Sequence, residues 1–489
     1  MRMRMAKRMN PNLHSYKDCS PVENEDDAVV FSAFSREFCS ENSISLSGDI
    51  QYPIELSEDS FAFVNYKDSK RYENGNRRVW TGRWVGRVSY QSEKGKNVIL
   101  EVKSRFGDYS VFTMIEEAFS CNLVSSNSKL VSSDNEETLV QKLIPFIWAS
   151  KLSHANQYGV PHSDYSQVHK GVSIKGRLDV RKSIIPLFRQ HEVVSVKREK
   201  RIDEPIAQII LQAYKKIGKT LGNRISPNAE FALNTFASAQ YPKRTISESE
   251  YRKIRYKPIY LSYKDVVDFS WQILKSTKKS EEMGDGKALT GFLDMAEIWE
   301  IYLRALLRKS FPDWRVLDKK SSAFDVYKNT FWKRKIIPDI VMEKDNNVVV
   351  FDAKWKKMDG RSDTVEHSDL DRSDFFQIHS YIDYFKAQGK NVLLAGLLYP
   401  LGKDFPEKKE NNPVDAVVIQ DNLWGIDSET KFIVGGIHFK DQEEVRQEKN
   451  IKKDEDLYAA YKDEMKNAAH KFVNQLENVL KEANASSNQ

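Results

Sequence analysis

The sequence has few of the residues that build disulfide or zinc sites. Its three cysteines, Cys19, Cys39 and Cys121, are odd in number, widely spaced and far from any histidine cluster. This pattern favours a reducing compartment and counts against disulfide bridges or a structural zinc ion. No segment approaches the roughly 18 apolar residues that a membrane helix needs, and the basic start lacks the apolar stretch of a signal peptide. We therefore expect a cytoplasmic protein without membrane contact.

Several common catalytic motifs are also absent. The sequence contains no Gly-x-Ser-x-Gly, no His-Glu-x-x-His and no Cys/His pair at ligand spacing. Gly218, Lys219 and Thr220 are the one fragment similar to a phosphate-binding loop, but Ala213 stands where the first glycine of that motif belongs. The surrounding residues have helical spacing. We therefore expect that this chain binds no nucleotide itself.

The length and composition are those of a multidomain globular protein. A chain of 489 residues is too long for one core, and 40% hydrophobic with 30% charged residues is ordinary for a soluble protein. The apolar patterns predict a mixed α/β (α+β) protein. They divide it into a flexible segment at 1–45, a β-rich domain at 46–125, a mainly helical middle domain at 126–285 and a C-terminal α/β domain at 286–489 that ends in a charged helix.

Positive charge is concentrated in the middle domain, although the net charge of +6 is small for this length. Between residues 170 and 260, basic clusters alternate with tyrosine and isoleucine in KGVSIKGRLDVRKS, SVKREKRID and SEYRKIRYKPIY. Such clusters suit a phosphate backbone. They suit a solvated surface equally well.

Two apolar runs in the C-terminal domain predict a buried β-hairpin. The runs at 336–342 and 348–351 are separated by the turn-forming residues Asp345, Asn346 and Asn347. With a loop at 344–347, Glu343 faces Val348, Val341 faces Val350, and Asp339 faces Asp352. Like charges opposite each other across a strand pair are destabilising, so we expect a ligand that offsets their repulsion.

The second strand of this hairpin carries two lysines beside the carboxylates. Asp352, Lys354 and Lys356 share one face, because side chains alternate along a strand. Mg²⁺ is the ion that suits these carboxylates, since it is bound through one or two carboxylates and keeps several waters. A lysine beside the ion can position a water and stabilise charge that develops on a phosphate. We expect Lys356 to contact DNA or to support the site.

Pro338-Asp339 followed by Asp352-Ala353-Lys354 resembles the signature of the PD-(D/E)xK nucleases. The resemblance implies a nuclease fold for the C-terminal domain and phosphodiester hydrolysis with Mg²⁺. It implies that Asp339 and Asp352 hold the metal and that Lys354 assists the attacking water.

Flanking residues extend this resemblance. Glu300 lies on the predicted helix before the hairpin, where the superfamily often has a glutamate that completes the metal site; Glu297, one turn earlier, is the alternative. Gln377 and Tyr381 are four residues apart on a predicted helix and share a face, as in related nucleases near the DNA. His379 lies off that face, and we expect a structural or surface position for it.

The order of segments over residues 50–400 resembles McrC, the nuclease subunit of McrBC-type modification-dependent restriction systems. VILEVKSRFGDYSVFTMIEEA is similar to the family's strand, Pro-Lys-x-Gly and helix passage, with Ser104-Arg105 in place of Pro-Lys. IKGRLDVRKSI contains the family's Gly-Arg-(Leu/Ile)-Asp segment, and WEIYLRALL, IPDIVM, VFDAKWKKM, FFQIHSYIDYF and LLYP follow in the family's order. The resemblance implies an AAA+ GTPase partner of McrB type that binds the GTP and docks on the N-terminal region, and double-stranded methylated DNA as substrate.

Three functions remain open at this point. The first is the Mg²⁺-dependent endonuclease subunit of a McrBC-like complex. The second is an interaction protein that activates the GTPase and cuts weakly or not at all. The third is a stand-alone DNA-repair nuclease. Asp339, Asp352 and Lys354 favour the first over the second, because a site without a chemical role has no reason to keep buried like charges.

Overall fold

The structure is a computed structural model that divides into two units. It describes residues 13–33, 43–44, 46, 61–64, 68–91, 97–119, 139–221, 225–242, 244–282, 291–319, 321–325, 335–356, 372–402, 417–425 and 429–487. The first unit combines Met1–Leu143 with Met283–Gln489, and the second unit is Ile144–Glu282.

The described residues form strands and helices in mixed order, which confirms the predicted mixed α/β class. The strands are β1 Leu13–Lys17, β2 Ser43–Ile44, β3 Ala62–Val64, β4 Val79–Thr81, β5 Trp84–Gln91, β6 Asn97–Lys103, β7 His162–Gly171, β8 Arg177–Leu178, β9 Val193–Ile202, β10 Gly291–Asp294, β11 Arg315–Val316, β12 Phe324–Asp325, β13 Lys335–Ile336, β14 Ile340–Lys344, β15 Asn347–Ala353, β16 Asn391–Leu401, β17 Val418–Asn422 and β18 Lys431–His438. The helices are α1 Glu25–Ala33, α2 Asp108–Phe119, α3 Leu139–Ala155, α4 Val180–Gln190, α5 Glu204–Leu221, α6 Pro227–Ser238, α7 Glu248–Lys253, α8 Tyr263–Glu282, α9 Met295–Ser310, α10 Arg372–Ala387, α11 Gln442–Glu448 and α12 Asp454–Ser487.

The larger sheet of the first unit has six strands in the order β11-β14-β15-β16-β18-β17. β14 and β15 are antiparallel, whereas β15, β16 and β18 run parallel to one another. Buried side chains run almost continuously along β15 and β16, because α9, α10 and α12 pack against this sheet. The predicted helix, hairpin and helix occur in this order as α9, β14 with β15, and α10, and β16 follows. β11, β12 and β13 lie between α9 and the hairpin.

A second sheet of the first unit has five strands in the order β1-β6-β5-β10-β2. β1 pairs in parallel with β6, so that Leu13 lies beside Ile99 and Lys17 beside Lys103. β1 and α1 lie inside the segment 1–45, for which we expected flexibility. The pairing with β6 explains why β1 is ordered, since it satisfies backbone hydrogen-bonding groups of residues 13–17.

The helical spacing around Glu300 extends over residues 288–311 and predicts a helix of that length, which is wrong at its beginning. Residues Gly291–Asp294 form β10, which pairs antiparallel with β5, and the helix begins only at Met295. Asp294 is the N-cap of α9, since its side chain accepts a hydrogen bond from the backbone N–H of Ala296. A strand partner about 200 residues away in the sequence thus overrides the helical spacing.

The first strand of the predicted hairpin is shorter than expected. Residues 337–339 separate β13 from β14, and β13 pairs with β12 instead. Pro338 explains this break, because proline has no N–H to donate to a strand ladder.

The high charge of the C-terminal helix predicts a solvated or partner-facing position, but the helix packs into the first unit. Its helical conformation is confirmed, and it contacts β16, β18 and α2. Buried side chains recur every three or four residues, which defines an apolar stripe beneath the charged surface. The stripe contains Leu457, Tyr461, Met465, Ala469, Phe472, Leu476, Leu480 and Ala483.

The second unit combines a helical core with a long β-ribbon. The core is formed by α5, α6 and α8, and Gly218–Thr220 lie inside α5 rather than in a loop, as the sequence predicted. β7 and β9 pair antiparallel over ten residues each, and most of their side chains are intermediate or exposed. In the part of the chain that the structure describes, no helix combines the length and the apolar character needed to cross a membrane.

Helix α4 of the second unit exposes large apolar side chains. Val180, Ile185 and Phe188 are 64%, 65% and 82% exposed. Ile184 and Leu187 on the same helix are also exposed. We call these five residues the α4 apolar surface.

Candidate active site

The hairpin of β14 and β15 has the register predicted from the sequence. Val341 lies opposite Val350 and Glu343 opposite Val348, and the turn consists of Asp345 and Asn346. Asp345 has a φ of 55°, a left-handed conformation that aspartate tolerates better than most residues. Continued by one residue beyond the pair of Ile340 and Phe351, the same register brings Asp339 opposite Asp352.

Asp339 lies beside the end of β15 and is affected by a neighbouring negative charge. Its Oδ2 accepts a hydrogen bond of 2.9 Å from the backbone N–H of Ala353. Burial and the charge of Asp352 raise the pKa of Asp339 to about 7, while Lys319 and Lys354 oppose this rise. The repulsion between carboxylates expected from the sequence is therefore present in the structure.

Lys354 connects Asp352 to helix α10. Its Nζ lies 2.5 Å from Asp352 Oδ2 and 3.1 Å from Asp374 Oδ1, and it donates a hydrogen bond of 2.9 Å to Gln377 Oε1. Burial lowers the pKa of Lys354, but the two carboxylates raise it more, so the net shift is upward and the ammonium stays charged at neutral pH. Gln377 Nε2 donates to the Tyr381 hydroxyl at 2.6 Å. Gln377 and Tyr381 thus share the face of α10 that meets Lys354.

Glu300 and Glu297 are both buried, but they have different surroundings. Glu300 accepts a hydrogen bond of 2.8 Å from Lys319 Nζ and another from Arg304. Burial and the charge of Asp339 raise the pKa of Glu300. Glu297 accepts a hydrogen bond of 2.9 Å from the backbone N–H of Leu46. Glu300 is therefore the glutamate of this pair that is coupled to the hairpin carboxylates.

The carboxylates fit a Mg²⁺ ion that keeps most of its waters. Asp352 is 1% exposed, and its Oδ2 accepts no hydrogen bond of regular geometry from any described residue, although it is ion-paired with Lys354. Within the described ranges, no three His, Cys, Asp or Glu side chains form a ready-made metal cluster. One or two carboxylates suffice for Mg²⁺, whereas structural zinc requires four protein ligands. Asp339 and Asp352 are thus the groups that would hold the ion.

Two charged residues of this site were missed by the sequence reasoning. Asp374 is 3% exposed and pairs with both Lys354 and Lys356, the latter at 3.0 Å. Its position three residues before Gln377 gives it the same helix face, which is a signal that the sequence does contain. Lys319 follows β11 without any motif, and no sequence signal connects it with Glu300.

His379 is a buried structural histidine, one of the two positions expected for it. Its Nδ1 lies 2.7 Å from the backbone oxygen of Phe375, and its ring lies 4.1 Å from the rings of Phe375 and Trp424. It takes no part in the contacts among Asp339, Asp352 and Lys354.

A family model and two solved structures are similar to this chain. A family model described as McrBC 5-methylcytosine restriction system component matches residues 79–400, which is more than half of the chain. No curated protein matches. Among solved structures, the chain is similar to a half-complex from the tetradecameric assembly of Thermococcus gammatolerans McrB AAA+ hexamers with bound McrC, with 13% identity, a TM-score of 0.43 and coverage of 93% of this chain and 99% of that chain. It is also similar to the cryo-EM structure of the Thermococcus gammatolerans McrBC complex, with 10% identity, a TM-score of 0.34 and coverage of 61% and 88%. The family match shows that this chain belongs to the McrBC family of restriction-system components.

Proposed function

We propose that this chain is the DNA endonuclease subunit of a McrBC-type restriction complex and hydrolyses phosphodiester bonds with Mg²⁺. The observation that carries the proposal is the pair Asp339 and Asp352, held opposite each other with Lys354 beside them. Protein structures seldom retain buried like charges without a cation, because desolvation and repulsion both oppose the charged forms.

The residues of the site have separate roles in this proposal. Asp339 and Asp352 hold Mg²⁺, which when bound would polarise the phosphodiester and lower the pKa of a water. Lys354, whose ammonium remains charged, orients the attacking water and stabilises negative charge on the phosphate. Glu300 and Lys319 keep an anionic and a cationic group beside Asp339. Gln377 holds the Lys354 ammonium from the side of α10.

Ion binding and proton binding compete at Asp339. Because its pKa is raised to about 7, the carboxyl binds a proton at slightly acidic pH, and a protonated carboxyl would bind Mg²⁺ poorly. We expect cutting to decline as the pH falls below about 7.

We propose an AAA+ GTPase of McrB type as partner and methylated double-stranded DNA as substrate. The family description names a 5-methylcytosine restriction system, and in the Thermococcus gammatolerans assembly McrC is bound to McrB AAA+ hexamers. The partner, and not this chain, would bind the GTP.

The α4 apolar surface is our candidate for the contact with this partner. Large apolar side chains that cluster in solvent mark interaction sites in soluble proteins. The sequence predicted that the N-terminal region, with the β-rich domain at 46–125, docks the partner. Among the side chains of 46–125 whose burial the structure describes, Val64 is the one large apolar side chain that is exposed, at 36%. Docking of the partner on the β-rich domain stays a prediction. The α4 apolar surface offers the larger apolar contact.

A plasmid assay tests the proposed function. The purified chain is incubated with methylated or unmethylated plasmid, Mg²⁺ and GTP, with and without the AAA+ protein encoded beside it. We expect cutting only when the partner, GTP and methylated DNA are all present. Cutting by the chain alone would favour a stand-alone nuclease. Faster GTP turnover without any cutting would favour an activator that does not cut.

A further inference from the structure

The catalytic strand of the proposed site ends in a second polar cluster on its other face. Trp355 follows Lys354 directly, and its side chain points away from the carboxylates because side chains alternate along an extended chain. It is 4% exposed, and its Nε1 donates a hydrogen bond of 2.7 Å to Asp18 Oδ2. Asp18 is fully buried and comes immediately after β1.

Asp18 also holds Arg105. Its Oδ1 accepts a hydrogen bond of 2.5 Å from the backbone N–H of Arg105, and its Oδ2 lies 3.7 Å from Arg105 Nη1. The guanidinium nitrogens are buried and donate no hydrogen bond to any described residue. The guanidinium carbon lies 4.9 Å from the ring centre of Phe106 and 5.1 Å from that of Trp355. The Arg105 cation thus rests between a carboxylate and two aromatic rings.

The backbone leaves the sheet next to Lys354. β15 ends at Ala353, and the N–H of Lys354 donates a last hydrogen bond of 2.9 Å to the oxygen of Leu398. Beyond that point, the Trp355 indole donates to Asp18, and Lys356 Nζ donates to Asp374 Oδ2 at 3.0 Å. Of these two side chains, Trp355 is adjacent to Lys354 and is the one that is buried. Aromatic packing on Trp299 and Phe439 adds to this anchor, with ring centres 6.2 and 6.4 Å away.

We propose that Asp18 and Trp355 are positioning residues for Lys354. The inference rests on the proposed nuclease function and names which residues set the geometry of its lysine. The hydrogen bond between them fixes the chain just after Lys354, so that the ammonium stays between Asp352 and Asp374. Asp18 follows a strand of the five-stranded sheet, so this bond also ties that sheet to the catalytic strand.

Three variants test this proposal in the full complex with its partner. Trp355→Phe removes the indole N–H and retains a ring for packing against Arg105. Asp18→Asn replaces the carboxylate that accepts the hydrogen bond from Trp355 with an amide. The double variant measures whether Asp18 and Trp355 act as a unit. Trp80→Phe is the matched control, because the Trp80 indole donates to Asp68 Oδ2 at 2.9 Å and lies outside the proposed site.

We expect Trp355→Phe to lower kcat for cutting by about tenfold or more, since small misplacements of a reacting group have large effects on rate. The DNA concentration that gives half the maximal rate should stay unchanged, and the double variant should be no slower than the slower single variant. Trp80→Phe should cut at the rate of the unaltered protein. An unchanged kcat in Trp355→Phe, or equal losses in both Trp→Phe variants, would overturn the proposal.

A second measurement does not depend on cutting. The rate of acetylation of Lys354 is followed by mass spectrometry on the isolated chain, because a lysine held by two carboxylates reacts slowly. We expect Lys354 to react faster in Trp355→Phe and unchanged in Trp80→Phe. Equal Lys354 labelling in Trp355→Phe and the unaltered protein would reject the positioning role. If the unaltered complex does not cut DNA, the nuclease function fails, and this labelling still decides whether Trp355 positions Lys354.

Discussion

The candidate active site and the α4 apolar surface depart from the usual rules of folding in opposite ways. In the first unit, Asp352 is 1% exposed and faces a second carboxylate. In the second unit, Phe188 is 82% exposed on a helix whose other large apolar residues are exposed too. Each arrangement is unfavourable for the isolated chain. In our proposal each becomes favourable when a ligand binds, a cation for the first and an apolar protein surface for the second.

The largest expected effect is a loss of DNA cutting without a loss of partner activation. Asp339→Ala, Asp352→Ala and Lys354→Ala should each reduce cutting by about a hundredfold or more. In our proposal the two aspartates hold Mg²⁺, and Lys354 stabilises the negative charge of the transition state. Partner binding and the stimulation of GTP turnover should be retained, since the α4 apolar surface is unaltered. Cutting is measured on methylated plasmid.

Asp345→Asn is the control for these three variants, because it changes an exposed carboxylate in the turn of the same hairpin. It should cut at the rate of the unaltered protein. If Asp352→Ala failed to bind the partner, the separation of the two regions would be refuted.

The next effect concerns the second unit. Phe188→Ser should weaken partner binding by about tenfold or more, because buried aromatic residues dominate interface energies. The melting temperature of the chain should hardly change, since this side chain is exposed before binding. Phe231→Ser is the control, because Phe231 is 61% exposed on another helix of the same unit. Equal partner affinity in Phe188→Ser and Phe231→Ser would count against α4 as the contact.

The pH dependence of stability, measured without DNA or partner, should reveal how much the carboxylate pair destabilises the folded chain. The pKa of Asp339 is raised to about 7 from its usual value near 4, so the unfolded chain loses this proton before the folded chain does. The contribution of Asp339 to stability is therefore complete at low pH and is lost as the pH rises from about 4 to 7.

Melting temperatures with EDTA or Mg²⁺ measure this contribution. In EDTA, Asp339→Asn should become more stable relative to the unaltered protein as the pH rises toward 7. Mg²⁺ should stabilise the unaltered protein more than Asp339→Asn, because an amide is a poorer Mg²⁺ ligand than a carboxylate. A difference between the two proteins that is the same at pH 5 and pH 8 would contradict the raised pKa.

The smallest effect concerns Lys356, which pairs with Asp374 at the edge of the site. Lys356→Ala should weaken DNA binding severalfold and reduce the salt dependence by about one counterion, as expected for a single phosphate contact. Lys344→Ala removes a lysine from the turn end of the same hairpin and should leave both quantities unchanged. Binding is measured at several salt concentrations. An unaltered salt dependence in Lys356→Ala would exclude a phosphate contact.

The hairpin could be predicted from the sequence because the residues that determine its register are close together in the chain. Turn residues at 345–347 and an uninterrupted apolar run set the register, and the register brings Asp339 opposite Asp352. Gln377 and Tyr381 were predictable for the same reason, since helical spacing gives them one face.

Residues that act through distant contacts could not be predicted in this way. Asp18 meets Trp355 across 337 residues of sequence, and β10 is a strand because β5 pairs with it. The stripe along α12 shows a related limit. Charged residues dominate its composition, whereas its apolar minority determines what the helix contacts.

The most direct test compares Asp352→Ala and Phe188→Ser in the same two assays. Each variant is assayed for cutting of methylated plasmid with partner, Mg²⁺ and GTP, and for stimulation of the partner's GTP turnover. We predict that Asp352→Ala loses cutting and retains stimulation, whereas Phe188→Ser loses stimulation and, with it, partner-dependent cutting. Loss of stimulation in Asp352→Ala, or full cutting by that variant, would contradict the account.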